Sequence, residues 1–241
     1  MKDVKRIDYF SYEELTILGG SKLPLVNFEL FDPSNFEEAK AALIEKELVT
    51  ENDKLTDAGF KVATLVTEND KLTDAGFKVA TLVREYISAI VNIRINDMYF
   101  APFSYEKDEY ILLSRFKNNG FQIRIINKDI AWWSIVQSYP LLMRQEKSND
   151  WDFKQIDDET LENLNNESID TIGRVLEIEI YNHQGDPQQS LYNIYEQNDL
   201  LLIRYPLKDK VLNVHIGVIN TFIRELFGFN TDENHINKAE E

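Results

Sequence analysis

Residues 91–127 read VNIRINDMYFAPFSYEKDEYILLSRFKNNGFQIRIIN. Four segments within them, VNIRI, MYFAPFS, YILLSRF and FQIRIIN, alternate apolar with polar side chains, the period of a strand that turns one face to a core. Asn118-Asn119-Gly120 is a strong tight-turn signal between the last two. The links are too short for a parallel crossover, which needs a dozen or more residues, so the strands must pair antiparallel as a meander.

Downstream, DIAWWSIVQSYPLLM (129–143) fits either a strand or a helix, with Pro140 as a break. The polar stretch 144–170 predicts one short helix from Asp158 to Asn165. Strand patterns resume in RVLEIEIYN (174–182), SLYNIYE (190–196) and LLLIRYP (200–206), with a turn at Gly185-Asp186-Pro187. VLNVHIGVINTFIRELF (211–227) predicts a final helix stopped by Gly228, and 230–241 reads as a disordered polar tail.

Upstream, FSYEELTILGG offers Ser11 and Glu14 as a capping box and Gly19-Gly20 as a stop. Ser34 and Glu37 form a second box ahead of a helix whose Phe36, Ala39, Leu43 and Leu48 share one apolar face. The class is therefore α+β: an antiparallel sheet of two meanders with N-terminal helices and a C-terminal helix packed on it. Residues 1–229 form a single domain, with 1–145 and 155–229 as candidate pseudo-repeated halves.

Between helices and sheet lies an oddity. Residues 49–65 recur without change as 66–82. Evolved solenoids keep core positions while their surfaces drift and need about three or more repeats, so two identical copies indicate a duplicated segment. Each copy reads as a turn, TENDK, and a helix, LTDAGFKVATLV, capped by Thr56 or Thr73. Only the second runs on into REYISAI and can form the longer helix. An in-line insertion of seventeen residues would rotate the apolar stripe by about 100°, so the extra copy must loop out or add its own unit, with two near-degenerate registers available.

The 241 residues are 43% hydrophobic and 12% aromatic, enough for a sizeable core. A formal charge of −16, from 42 acidic against 26 basic residues, makes nucleic acid and anionic membrane surfaces poor partners. The absence of cysteine excludes thiolate chemistry and disulfides and fits a reducing cytoplasm. No segment has the length of a signal peptide core or a membrane span.

Catalytic motifs are missing. His183, His215 and His235 have no partner at metal-ligand spacing, and the chain contains no nucleophile elbow, phosphate loop or dinucleotide fingerprint. DDETLE (157–162) reads as a solvated helix start. Trp132-Trp133 reads as part of a sheet covered on both faces rather than as a binding platform. Phe103, Tyr105 and Tyr110, large rings beside a charged hairpin tip, have interface composition and are the candidate partner-contact residues. Catalytic, metal and cofactor sites are expected to be absent.

LIEKELV…KLTDAGFKVATLV resembles a winged-helix segment, which makes a transcriptional regulator the alternative reading. LTDAGFKVATLVREYI is mixed in charge, however, where DNA would require a basic recognition helix. The opening helix with LPLVNF, the helix ending in ELV, KLTDAGFKVATLV and the following meander resemble the EspG-like substrate chaperones of type VII (ESX) secretion. MKDVKRIDYFSYEELTILGG and IAWWSIVQSYPLLMRQEK resemble cytosolic accessory proteins of the Gram-positive type VII system. The resemblance implies a cytoplasmic, non-enzymatic factor that needs no cofactor, recognises small helical secretion substrates and delivers them to the membrane-embedded coupling ATPase. It also implies that the sheet and its hairpin, Phe103 to Tyr110, contact the substrate.

Overall fold

A computed structural model describes residues 9–26, 33–46, 48–49, 74–115, 120–145, 154–156, 175–183, 188–197, 200–208 and 210–229. Ser11 starts helix α1 (Tyr12–Gly19): its hydroxyl accepts from the Glu14 N–H at 3.1 Å, and the Glu14 carboxylate accepts from the Ser11 N–H at 2.7 Å. Gly20 ends it in the left-handed region at φ 74°, where a side chain would be strained. Helix α2 (Phe36–Glu45) begins differently from the expected box. Pro33 opens a 3₁₀ turn over Pro33–Asn35 that takes up Ser34, so Asn35 is the N-cap and its side chain makes no capping bond. Ala39, Leu43 and, past the helix end, Leu48 are buried as the apolar face predicts, while Phe36, the first residue of that face, is only half-buried.

Helix α3 (Asp74–Ser88) is built from the second copy of the repeat and its REYIS extension, the longer helix that only this copy can make. The first copy, apart from Val49, lies outside the described residues. The strands follow where expected, β1 (Val91–Ile95), β2 (Met98–Ser104), β3 (Glu109–Arg115) and β4 (Phe121–Asn127), but Met98–Ala101 and Tyr110–Leu113 are buried residue after residue rather than on one face alone. The Asn118-Asn119-Gly120 turn, the Asp158–Asn165 helix, the Gly185-Asp186-Pro187 turn and the 230–241 tail fall wholly or mainly outside the described residues.

After β4 come α4 (Lys128–Ser138), a 3₁₀ turn over Pro140–Met143, and strands β5 (Lys154–Gln155), β6 (Leu176–Asn182), β7 (Gln188–Gln197), β8 (Leu200–Tyr205) and β9 (Lys210–Asn213). Helix α5 (Ile216–Leu226) closes the order. The expected helix over 211–227 is thus divided. Arg204 pairs with Val211 and Ile203 with Leu212, so the first residues of the stretch satisfy their backbone groups on a neighbouring strand. His215 then starts the helix, its Nδ1 accepting from the Gly217 N–H at 2.9 Å, and Gly228 stops it at φ 68°. His215→Ala should lower stability by about 1 kcal/mol and His215→Asn should retain it, as thermal unfolding would show.

The architecture is α+β, and β2–β3, β7–β8, β8–β9 and β9–β5 all pair antiparallel. The chain divides into two compact units: residues 1–93, 97–125 and 181–187, and residues 94–96, 126–180 and 188–241. In the first, strands lie in the order β4-β3-β2-β1, α1 packs against α2 and α3, and α3 packs on β2. The enclosed core includes Leu15, Leu43, Leu48, Val83, Tyr86, Ile111 and Phe121. In the second, strands lie in the order β6-β7-β8-β9-β5, and the Phe222 ring of α5 meets Tyr192 of β7 edge-on at 5.1 Å. Arg94, in the end of β1 that belongs to this unit, bridges Glu179 at 2.7 Å and Glu177 at 3.0 Å.

Candidate partner-binding site

The hairpin of β2 and β3 is anchored by five side chains with no exposure, Phe100, Ala101, Ile111, Leu112 and Leu113. Tyr110 pairs with Pro102 and Glu109 with Ser104, which leaves Phe103 as the extra residue of a bulge. Bulges bend a strand and re-aim the residue that is left over. The Phe103 ring is 38% exposed, a wasteful position for a large apolar group unless something covers it.

The tip, Tyr105 to Asp108, closes with the Asp108 N–H donating to the Tyr105 carbonyl at 3.4 Å. Asp108 sits at φ 52°, a region that Asp tolerates better than most residues. Tyr105 projects 70% exposed. Glu106, Lys107 and Asp108 around it are exposed as well. Tyr110 has a different role, because it is buried. Burial, and then the neighbouring Tyr105 and Asp108, push its hydroxyl up to about 12, so it stays protonated at neutral pH. Of the three sequence candidates, two present rings to solvent and the third packs inside the strand that supports them.

Two rings with a carboxylate rim on a braced hairpin suit contact with another macromolecule, since aromatic anchors with a polar surround are what interfaces concentrate. Among the described residues, no group of three or more His, Cys, Asp or Glu side chains could hold a metal ion. His183 contributes structure, its Nε2 lying 2.7 Å from the Asn92 Oδ1. His215 is the α5 cap, and His235 is outside the described residues.

The Trp132-Trp133 run departs from the covered-sheet expectation, because it is helix α4. Asn127 caps it by accepting from the Ile130 N–H at 2.9 Å. Spacing by 3.6 residues sends Ala131 and Ile135 inward and leaves Ile130 and Trp133 outward, with Trp133 59% exposed. The helix is apolar on both sides, so its periodicity is invisible in sequence. Ile130 is exposed on that helix, and Met143 on the 3₁₀ turn that follows it.

A sequence profile of the family described as a domain of unknown function (DUF5081) matches residues 4–67 and 63–235, and the two matches overlap inside the repeated stretch. The proteins called "Type VII secretion system protein EsaE" in Staphylococcus aureus strains USA300 and NCTC 8325 are each 92% identical to this chain over 241 residues, covering all of both chains.

Proposed function

We propose, from the premise that this chain belongs to the EsaE family of type VII secretion system proteins, that it is a cytoplasmic chaperone or targeting factor of that system. It binds small helical secretion substrates and hands them to the membrane coupling ATPase, acting by binding rather than by catalysis. The observation that carries this reading is the pair of exposed rings, Phe103 and Tyr105, on a hairpin whose opposite strand is locked by buried side chains. A pre-formed aromatic platform loses little conformational entropy on binding, which favours recognition of an apolar helical stripe. The resemblance to EspG-like chaperones supports the same use of the hairpin. Among the described residues, no helix is long and apolar enough to cross a membrane, so contact with the membrane machinery would run through the ATPase.

Affinity purification of the tagged protein from staphylococcal cytosol, followed by mass spectrometry, tests this. A small secreted helical protein or the coupling ATPase should accompany the native chain. The F103D/Y105D variant should lose at least about 2 kcal/mol of binding, enough to empty the pull-down, because central aromatic anchors carry a disproportionate share of interface energy. Undiminished recovery with that variant would remove the hairpin from the contact surface, and a native preparation free of secretion components would overturn the function.

A further inference from the structure

Two identical segments could fill one place in the core, and the structure fills it with the second. Threading the first copy through α3, seventeen residues earlier, would keep Val79 as Val62, Ala80 as Ala63, Leu82 as Leu65 and Val83 as Val66. The match fails one turn later. Asn69 would stand in the place of Tyr86, and Asp70 in that of Ile87.

Both places are demanding. Tyr86 has no exposure, its hydroxyl donates to the Pro24 carbonyl at 2.9 Å, and its own carbonyl accepts from the buried Asn92 amide at 2.9 Å. Ile87 packs on the same core, and its Cδ1 comes within 2.7 Å of where a Cβ on Gly19 would lie. An asparagine at the Tyr86 place would leave a void and strip Pro24 of its donor. An aspartate at the Ile87 place would press a carboxylate against the apolar side of α1.

We propose that Tyr86 and Ile87 are register-selecting residues, which make the second copy the packed one by at least about a hundredfold and leave the first copy dispensable to the fold. Removing 49–65 or 66–82 gives one and the same chain, in which seven residues rather than 24 separate Val49 from the aspartate that opens α3. That chain retains every α3 side chain named above.

Hydrogen exchange read by mass spectrometry on three proteins tests the proposal: the native chain, the one-copy chain, and the full-length N69Y/D70I variant. The last gives the first copy the residues it lacks. Amides of β7 and β8 report general stability. In the one-copy chain, protection of the Val79–Tyr86 amides should persist or rise by up to about sixfold, the closure term for the shorter connection. In N69Y/D70I it should fall at least about tenfold while β7 and β8 hold, because two registers now exchange through local opening. Unchanged protection in N69Y/D70I, a fall shared by β7 and β8, or loss of α3 protection in the one-copy chain would each overturn the proposal.

Discussion

Lys46→Met should lower the stability of this protein by about 3 kcal/mol, among the largest effects expected of any single substitution outside the apolar core. Glu14 is 4% exposed in its side chain and already serves the α1 capping box. The Lys46 ammonium lies 2.7 Å from each of its oxygens, donates to the Tyr9 carbonyl at 2.6 Å and rests over the Phe10 ring at 4.9 Å. Taking the cation away leaves a buried carboxylate with a desolvation cost that one backbone N–H cannot offset. The value sits at the low end of the range for broken buried pairs because Lys46 keeps 20% exposure. In a chain of this length it corresponds to a fall in Tm of roughly 6–12 °C. The double variant K46M/E14Q is the control: glutamine can still close the capping box and needs no counter-charge, so it should recover most of the loss. If calorimetry shows the two substitutions to be additive, the pair is not coupled and the explanation fails.

Gly19→Leu should cost about as much, roughly 3 kcal/mol, by a steric route. A Cβ at Gly19 would meet the Val83 Cγ1 at 2.5 Å and the Ile87 Cδ1 at 2.7 Å. Val83 is fully buried and, being β-branched, has no free rotamer to turn to. Glycine is therefore used at this position for close approach of α1 to α3, not for backbone freedom, which is the task of Gly20 at φ 74°. Gly19→Ala should do less harm, since a gain of about 1 kcal/mol in helix propensity works against the overpacking. Adding Ile87→Ala to the Gly19→Leu chain should relieve part of the strain in a urea titration, whereas full additivity would place the cost elsewhere.

Both predictions concern contacts that the sequence does not announce. Glu14 and Lys46 are 32 positions apart; read locally, Glu14 is a capping-box residue and Lys46 an ordinary surface charge. The candidate site was half legible for the same kind of reason. Phe103 and Tyr105 are recognisable as rings beside a charged turn, and the hairpin presents both. Tyr110 has the same composition around it, but it opens a run, Tyr110 to Leu113, that is buried residue after residue on the strand facing the bulge at Phe103.

What this chain determines by itself is whatever closes over a few residues. The Ser11–Glu14 box, the glycine stops at Gly20 and Gly228 and the strands from Val91 to Asn127 arise from capping chemistry, left-handed backbone and short apolar runs bounded by turns, all complete within one turn or one strand. Only the tertiary structure decides the remainder, because there the local preferences are balanced. Lys210–Asn213 could have extended α5, but the free edge of β8 draws it into a strand, where its backbone groups are paired. The apolar run from Ile130 to Val136 suits either class and becomes a helix with one face uncovered. Between two copies with identical residues nothing local can choose, and the decision passes to Tyr86 and Ile87, which follow only one of them and fill the space between α1 and the sheet.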